Sequence, residues 1–157
     1  MTELRNMAST LVKIDIHLIF HVKNTGIKLR ESDLDRIFSY IGGIIKGQGE
    51  LPIAIGGRPD HIHILTSIPK TMSLADFVRV IKAESSKWIK NIAPTYDNFS
   101  WQNGYGAFSV SPSLLEKTTA YIINQEKHHK RLSFKEEYKK FLDAYHIEYD
   151  EQYVFID

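Results

Sequence analysis

The stretch Leu51-Pro52-Ile53-Ala54-Ile55-Gly56-Gly57-Arg58-Pro59-Asp60-His61-Ile62-His63-Ile64-Leu65-Thr66-Ser67-Ile68 decides how this chain is read. Two β-rich runs, 51–56 and 61–68, flank the turn Gly57-Arg58-Pro59-Asp60, and Pro69 closes the second run. Alternate residues of a strand share a face, so His61 and His63 stand side by side while Ile62 and Ile64 point the other way. Two parallel imidazoles on a rigid strand form half of a divalent-metal site. Alone, a His-x-His is more often a pair of ordinary polar-face histidines.

Working outward, residues 13–23 are rich in β-branched and aromatic side chains and end in the turn cluster Asn24-Thr25-Gly26, which reads as a strand. Ser32 with Asp35 has the spacing of a capping box, and Leu34, Ile37, Phe38, Ile41, Ile44 and Ile45 follow at helical spacing until Gly47 and Gly49. Beyond Pro69, Ser73 with Asp76 opens a helix with the stripe Leu74, Phe77, Val78, Ile81, Trp88, Ile89 and Ile92, and Pro94 ends it. Residues 99–111 read as a loop feeding a fourth strand. Ser113 with Glu116 caps a further helix through about residue 130. Ser133 with Glu136 caps a last amphipathic one carrying Phe134, Tyr138, Phe141, Leu142 and Tyr145. The tail, 147–157, is aromatic and acidic and has no assignment. The first six elements give a ferredoxin-like (RRM-like) βαββαβ fold of the α+β class. It has a four-stranded antiparallel sheet with helices on one face, followed by a tyrosine-bearing helix and a further helix. One domain over 1–157 is expected, with a core of about 11–130 and a C-terminal helix and tail of about 133–157.

The bulk numbers limit the function classes only loosely. At 157 residues, 43% hydrophobic and 25% charged, the chain has the composition of a soluble globular domain. It has no cysteine, which removes disulfides and thiolate metal sites. No signal-peptide core or membrane-length segment appears, so no membrane contact and a cytoplasmic location are expected. Net charge is +1, from 20 basic and 19 acidic residues, so bulk charge does not argue for nucleic acid.

A second chemistry-bearing stretch is Tyr121-Ile122-Ile123-Asn124-Gln125. Tyr121 and Gln125 are four apart and share a helical face, which His128 continues, while Ile122 lies on a neighbouring stripe suited to the core. On its own this is a surface tyrosine, one of 8.

Taken together, the motifs resemble the single-tyrosine HUH transposases of bacterial insertion sequences, including relatives associated with repetitive extragenic palindromes. Pro59-Asp60-His61-Ile62-His63 matches the HUH pattern, and Tyr121-x-x-x-Gln125 matches the tyrosine motif on the expected helix. His17-Leu18-Ile19-Phe20, Ile81-Lys82-Ala83-Glu84-Ser85-Ser86-Lys87-Trp88 and residues 101–109 also look like this family, so the resemblance runs from about residue 11 to about 155. It implies a DNA transposase that cuts and rejoins single-stranded DNA through a 5′-phosphotyrosine. Tyr121 would be the nucleophile, and His61, His63 and Gln125 the ligands of Mg²⁺ or Mn²⁺. It further implies hairpin-containing element ends as partner, and a homodimer in which the tyrosine helix of one subunit completes the metal site of the other.

Arg79, Lys82, Lys87 and Lys90 on the second helix, and Lys127, His128, Lys130 and Arg131 beyond the tyrosine, are candidate phosphate contacts. A solvated helix face is the alternative for any one lysine. His128 is also a candidate base for a phenol whose ordinary pKa is about 10. Trp88, Trp101 and Tyr105 are candidate base-stacking residues, with Trp88 better suited to the core. The rival readings are three. A non-catalytic or domesticated nucleic-acid binder on an RRM-like sheet would carry exposed aromatics on its central strands. A two-histidine phosphoesterase would want a second His-x-Thr or His-x-Ser, which does not occur. A family member that has lost mobility would have the same sequence signature as an active one.

Overall fold

The computed structural model describes residues 9–23, 27–125 and 132–155. Four strands, β1 (Asp15–His21), β2 (Pro52–Arg58), β3 (His61–Ser67) and β4 (Gly106–Ser109), form one sheet in the order β2-β3-β1-β4, antiparallel throughout. The helices are α1 (Leu34–Gly47), α2 (Leu74–Lys90), α3 (Leu115–Ile123), α4 (Phe134–Ala144) and the short α5 (Glu151–Val154). The βαββαβ layout expected from hydrophobic periodicity is the one observed.

Register decides what each face of the sheet carries. Pairing His21 with His61, Ile19 with His63 and His17 with Leu65 sets these six side chains on one face. Gly56 of β2 lies opposite His63, and Phe108 of β4 opposite His17. The other face presents Leu18, Phe20, Ile62 and Ile64, which pack with Ile37 and Ile41 of α1 and Phe77 and Ile81 of α2 in the main core. Each such side chain contributes about 1.5–3 kcal/mol when fully buried. β1 and β3 are buried along their whole length, so the histidine face is covered as well. Its cover comes from α3, whose Ile122 packs on Ala54 and Leu65, and from α4, whose Tyr138 and Leu142 pack on Ile19 and Phe108. The two expected extra helices are thus a second layer on the face opposite α1 and α2.

Two glycines allow that layer to dock. A Cβ on Gly56 would lie 2.3 Å from the Ile122 carbonyl oxygen, and one on Gly106 would lie 2.6 Å from the Tyr138 hydroxyl. At Gly56 the near atom is backbone, so glycine is required there by the close approach of α3, while at Gly106 a larger residue would have to displace the Tyr138 ring.

Helix starts correct the reading of the caps in two of four places. Ser73 and Ser133 do accept from the backbone N–H of Asp76 and Glu136. Ser32 and Ser113 do not cap: α1 and α3 each begin after a 3₁₀ turn, Glu31–Asp33 and Pro112–Leu114, with no side-chain cap. Ser113 pairs instead with Ser111, 3.1 Å away. α3 ends at Ile123 with Asn124 as its cap, Gln125 is again helical, and the rest of the helix expected through about residue 130 falls outside the described residues. In the unassigned tail Asp150 caps α5.

Candidate metal and tyrosine site

His61 and His63 leave the middle strand β3 side by side and are fully buried. Each ring is gripped at Nδ1 and offers Nε2 inward. His61 Nδ1 lies 2.7 Å from Asp60 Oδ1, and His63 Nδ1 lies 2.7 Å from Nε2 of His17. Inward, His61 Nε2 is 3.1 Å from Gln125 Oε1, and His63 Nε2 is 3.0 Å from Glu137 Oε1. The same Glu137 oxygen is 3.6 Å from His61 Nε2. One donor atom each from His61, His63 and Glu137 lies within 4.8 Å of the others, which makes these three a group able to hold a metal ion.

Tyr121 reaches this point from α3. Its hydroxyl donates to Glu137 Oε2, and its ring stands edge-on to His63 at 5.9 Å. Gln125 lies past the end of α3, beyond the Asn124 cap, and is buried where its amide bridges His61 and Glu137, with Nε2 3.3 Å from Glu137 Oε2. The structure therefore brings together Tyr121, His61, His63 and Gln125, all from one chain.

Electrostatics follow from this enclosure. Burial, reinforced by the hydrogen bond to and charge of Glu137, pushes the Tyr121 phenol above its ordinary value, while Gln125 works the other way. Burial and the neighbouring His63 push His17 down to about 3, against a smaller opposing effect of Glu137. Burial raises the Asp60 carboxyl, but its hydrogen bond to and charge pairing with His61 outweigh this and hold it below the usual carboxylate range.

The sequence motifs leave out Glu137 and give His17 no role of its own, although each leaves a signal. Glu137 interrupts the apolar stripe of α4, three residues after Phe134 and four before Phe141. A carboxylate on such a stripe must be paired to be buried, and here its partners are His63, Tyr121 and Gln125. His17 is two and four residues before Ile19 and His21, hence on the histidine face of β1.

The expected DNA contacts fare differently. Arg79, Lys82 and Lys87 all lie on α2, behind the sheet from the histidines. Lys82 is half-buried, and its ammonium donates to the carbonyl oxygens of Gln102, Asn103 and Gly104 at 2.5, 3.2 and 2.9 Å, which ties the 102–104 loop to α2. Burial also lowers its pKa to about 8. Arg79 is exposed and approaches Asp76 at 3.4 Å, and Lys87 is exposed. Lys127, His128, Lys130 and Arg131 fall outside the described residues. Trp101 is buried between Phe20 and Phe99 with its Nε1 donating to Ser85, and Trp88 stacks on Tyr40 at 4.4 Å, so neither presents a free face to a base. No helix among the described residues is long and apolar enough to cross a membrane.

Comparison with known proteins agrees with this geometry. The structure is similar to a candidate transposase from Deinococcus radiodurans R1, at 23% identity over 75% of this chain and 95% of that one, with a TM-score of 0.59. It is also similar to a REP-associated tyrosine transposase solved bound to a REP hairpin, at 17% identity over 77% of this chain and 72% of that one, with a TM-score of 0.55. Among curated proteins none matches. The sequence profile of IS200-like transposases matches residues 10–125, which contain both histidines, the tyrosine and the glutamine. The chain belongs to the IS200-like transposase family.

Proposed function

We propose that this chain cuts and rejoins single-stranded DNA through a 5′-phosphotyrosine on Tyr121, with Mg²⁺ or Mn²⁺ held by His61, His63 and Gln125. The observation that carries this reading is the convergence of one phenol and four metal-type donors on a single buried point. The donor set fits such an ion: two imidazoles with their outward nitrogens already engaged, an amide oxygen and a carboxylate, with no thiolate. Bound there, the ion would supply Lewis-acid polarisation of the scissile phosphate.

The chain's own groups supply the rest. Tyr121 oxygen forms a bond to phosphorus as the bond from phosphorus to the 3′-oxygen breaks, and the proton lost by the phenol is matched by the one gained on the new 3′-hydroxyl. The phosphodiester is conserved, so a second 3′-hydroxyl can reverse the step and join a different strand, with no nucleotide cofactor. α3 sets the position of the phenol, which is worth as much as its acidity, because positioning of reacting groups contributes several kcal/mol.

In the described state Glu137 accepts the Tyr121 hydrogen bond and α4 covers the histidines. The relative bound to a REP hairpin supports hairpin-containing DNA as the substrate class. Incubation with Mn²⁺ and single-stranded DNA from each flank of the chain's own gene should yield a covalent protein–DNA band on denaturing gels. The band should vanish in Tyr121→Phe and with chelator. Its absence on all four strands, with metal binding intact, would favour a non-catalytic nucleic-acid binder on the same fold.

A further inference from the structure

A histidine that ligates a metal has two unlike nitrogens, and the one turned away from the metal needs a partner that sets the ring's tautomer and angle. For His61 that partner is the Asp60 carboxylate, 2.7 Å from Nδ1. A carboxylate can only accept, so Nδ1 of His61 carries the hydrogen and Nε2 is left for the ion. His63 is held from a different strand. The atom 2.7 Å from its Nδ1 is Nε2 of His17, on the neighbouring strand β1.

We propose that His17 is the positioning residue for His63, accepting its Nδ1 hydrogen so that Nε2 faces the ion. This inference rests on the metal reading of the site. His17 suits the role because it is 2% exposed, packed among His63, Tyr121 and Phe141, and directs its Nε2 at His63 Nδ1, where an imidazole nitrogen can accept. The ring is braced edge-on by Phe141 at 5.0 Å, so its own angle is set by packing. Two other roles are excluded by geometry. His17 is not in the group whose donor atoms lie within 4.8 Å of one another, and its Nε2 is spent on His63, so it is no ligand. It is no partner of the nucleophile either, because the Tyr121 hydroxyl goes to Glu137 and the two rings are 6.4 Å apart.

The test is Mn²⁺ binding to the full chain, without DNA, followed by electron paramagnetic resonance of the free ion. His17→Leu keeps the apolar packing and removes the acceptor, and the affinity should fall roughly 10- to 100-fold. His17→Gln places an amide oxygen near the lost Nε2 and should restore affinity to within about threefold of wild type, a rescue that a packing role would not give. Should His17→Leu fail to fold, His17→Phe, which keeps an aromatic edge toward Phe141, takes its place. Wild-type affinity in a folded His17→Leu or His17→Phe chain would overturn the proposal, as would a folded His17→Gln chain that binds as weakly as those variants. A wild-type chain that binds no Mn²⁺ would instead overturn the metal reading, and this inference with it.

Discussion

Gly56→Ala probes whether the tyrosine helix works where it is seen, against its own sheet. The added Cβ would lie 2.3 Å from the Ile122 carbonyl oxygen and 3.0 Å from Ile122 Cγ2, against an ordinary contact of 3.4 Å or more. The nearest atom is backbone, so no side-chain rotation relieves the clash, and α3 must lift by about 1 Å at its C-terminal end. Overpacking of this kind costs about 1–3 kcal/mol, which for a domain of this size lowers the melting temperature by roughly 2–12 °C. The effect on the chemistry is larger in proportion. Tyr121 and Gln125 flank Ile122 and move with it, and a misplacement of about 1 Å can lower the rate on the order of 100-fold. The assay pairs thermal unfolding with the rate of covalent adduct formation. Gly43→Ala on α1 is the control, because nothing lies within 4 Å of the added methyl there and an exposed helical Gly→Ala change should stabilise by about 0.5–1 kcal/mol. A folded Gly56→Ala chain that forms adduct at the wild-type rate would refute the reasoning, since it would mean that α3 acts from some other position.

Three further outcomes are expected. Mixing Tyr121→Phe with His61→Ala chains tests how the site is assembled: a site built within one chain gives no adduct, and recovered cleavage would show that α3 is exchanged between subunits, as the family resemblance implies. Glu137→Gln should weaken Mn²⁺ binding without DNA by about tenfold or more while adduct formation is kept or accelerated, as the phenol loses the carboxylate that holds its proton; equal loss of binding and cleavage would instead make Glu137 a working part of the catalytic state. Away from the site, buried Asp33 accepts from Arg30, Arg36 and Tyr96, and these hydrogen bonds outweigh burial to bring its pKa from 3.8 to about 2. A depressed carboxylate contributes stability above its ordinary pKa and loses it as pH falls toward the folded value, here about 2 kcal/mol between pH 4 and 2. Tyr96→Phe, which removes the 2.6 Å bond, should therefore move the acid-unfolding midpoint upward, and an unchanged midpoint would exclude Asp33 as its cause.

Much of this protein is written in short-range pattern. Alternation along 61–68 placed His61 and His63 on one face, and 3.6-residue periodicity found α1, α2 and α4, because these signals depend only on neighbours within one element. The spacing of Tyr121 and Gln125 held across the interruption at Asn124, since the backbone is helical again at Gln125 and its amide is aimed at His61. Other features required the tertiary structure. Serines at capping distance proved to be caps at 73 and 133 but not at 32 and 113, where a 3₁₀ turn precedes the helix and changes the geometry of its start. Lys82 is tied to three carbonyls because the 102–104 loop folds back onto α2, a contact that no local pattern in the sequence announces. His17 and Glu137 lie 46 and 74 residues from His63 in sequence, and only the β1–β3 register and the docking of α4 bring them to it. The sequence by itself determined the fold class and pointed to the four groups that the structure brings together. The partners of those groups, and the cover over them, were decided by packing between distant segments, which no local periodicity encodes.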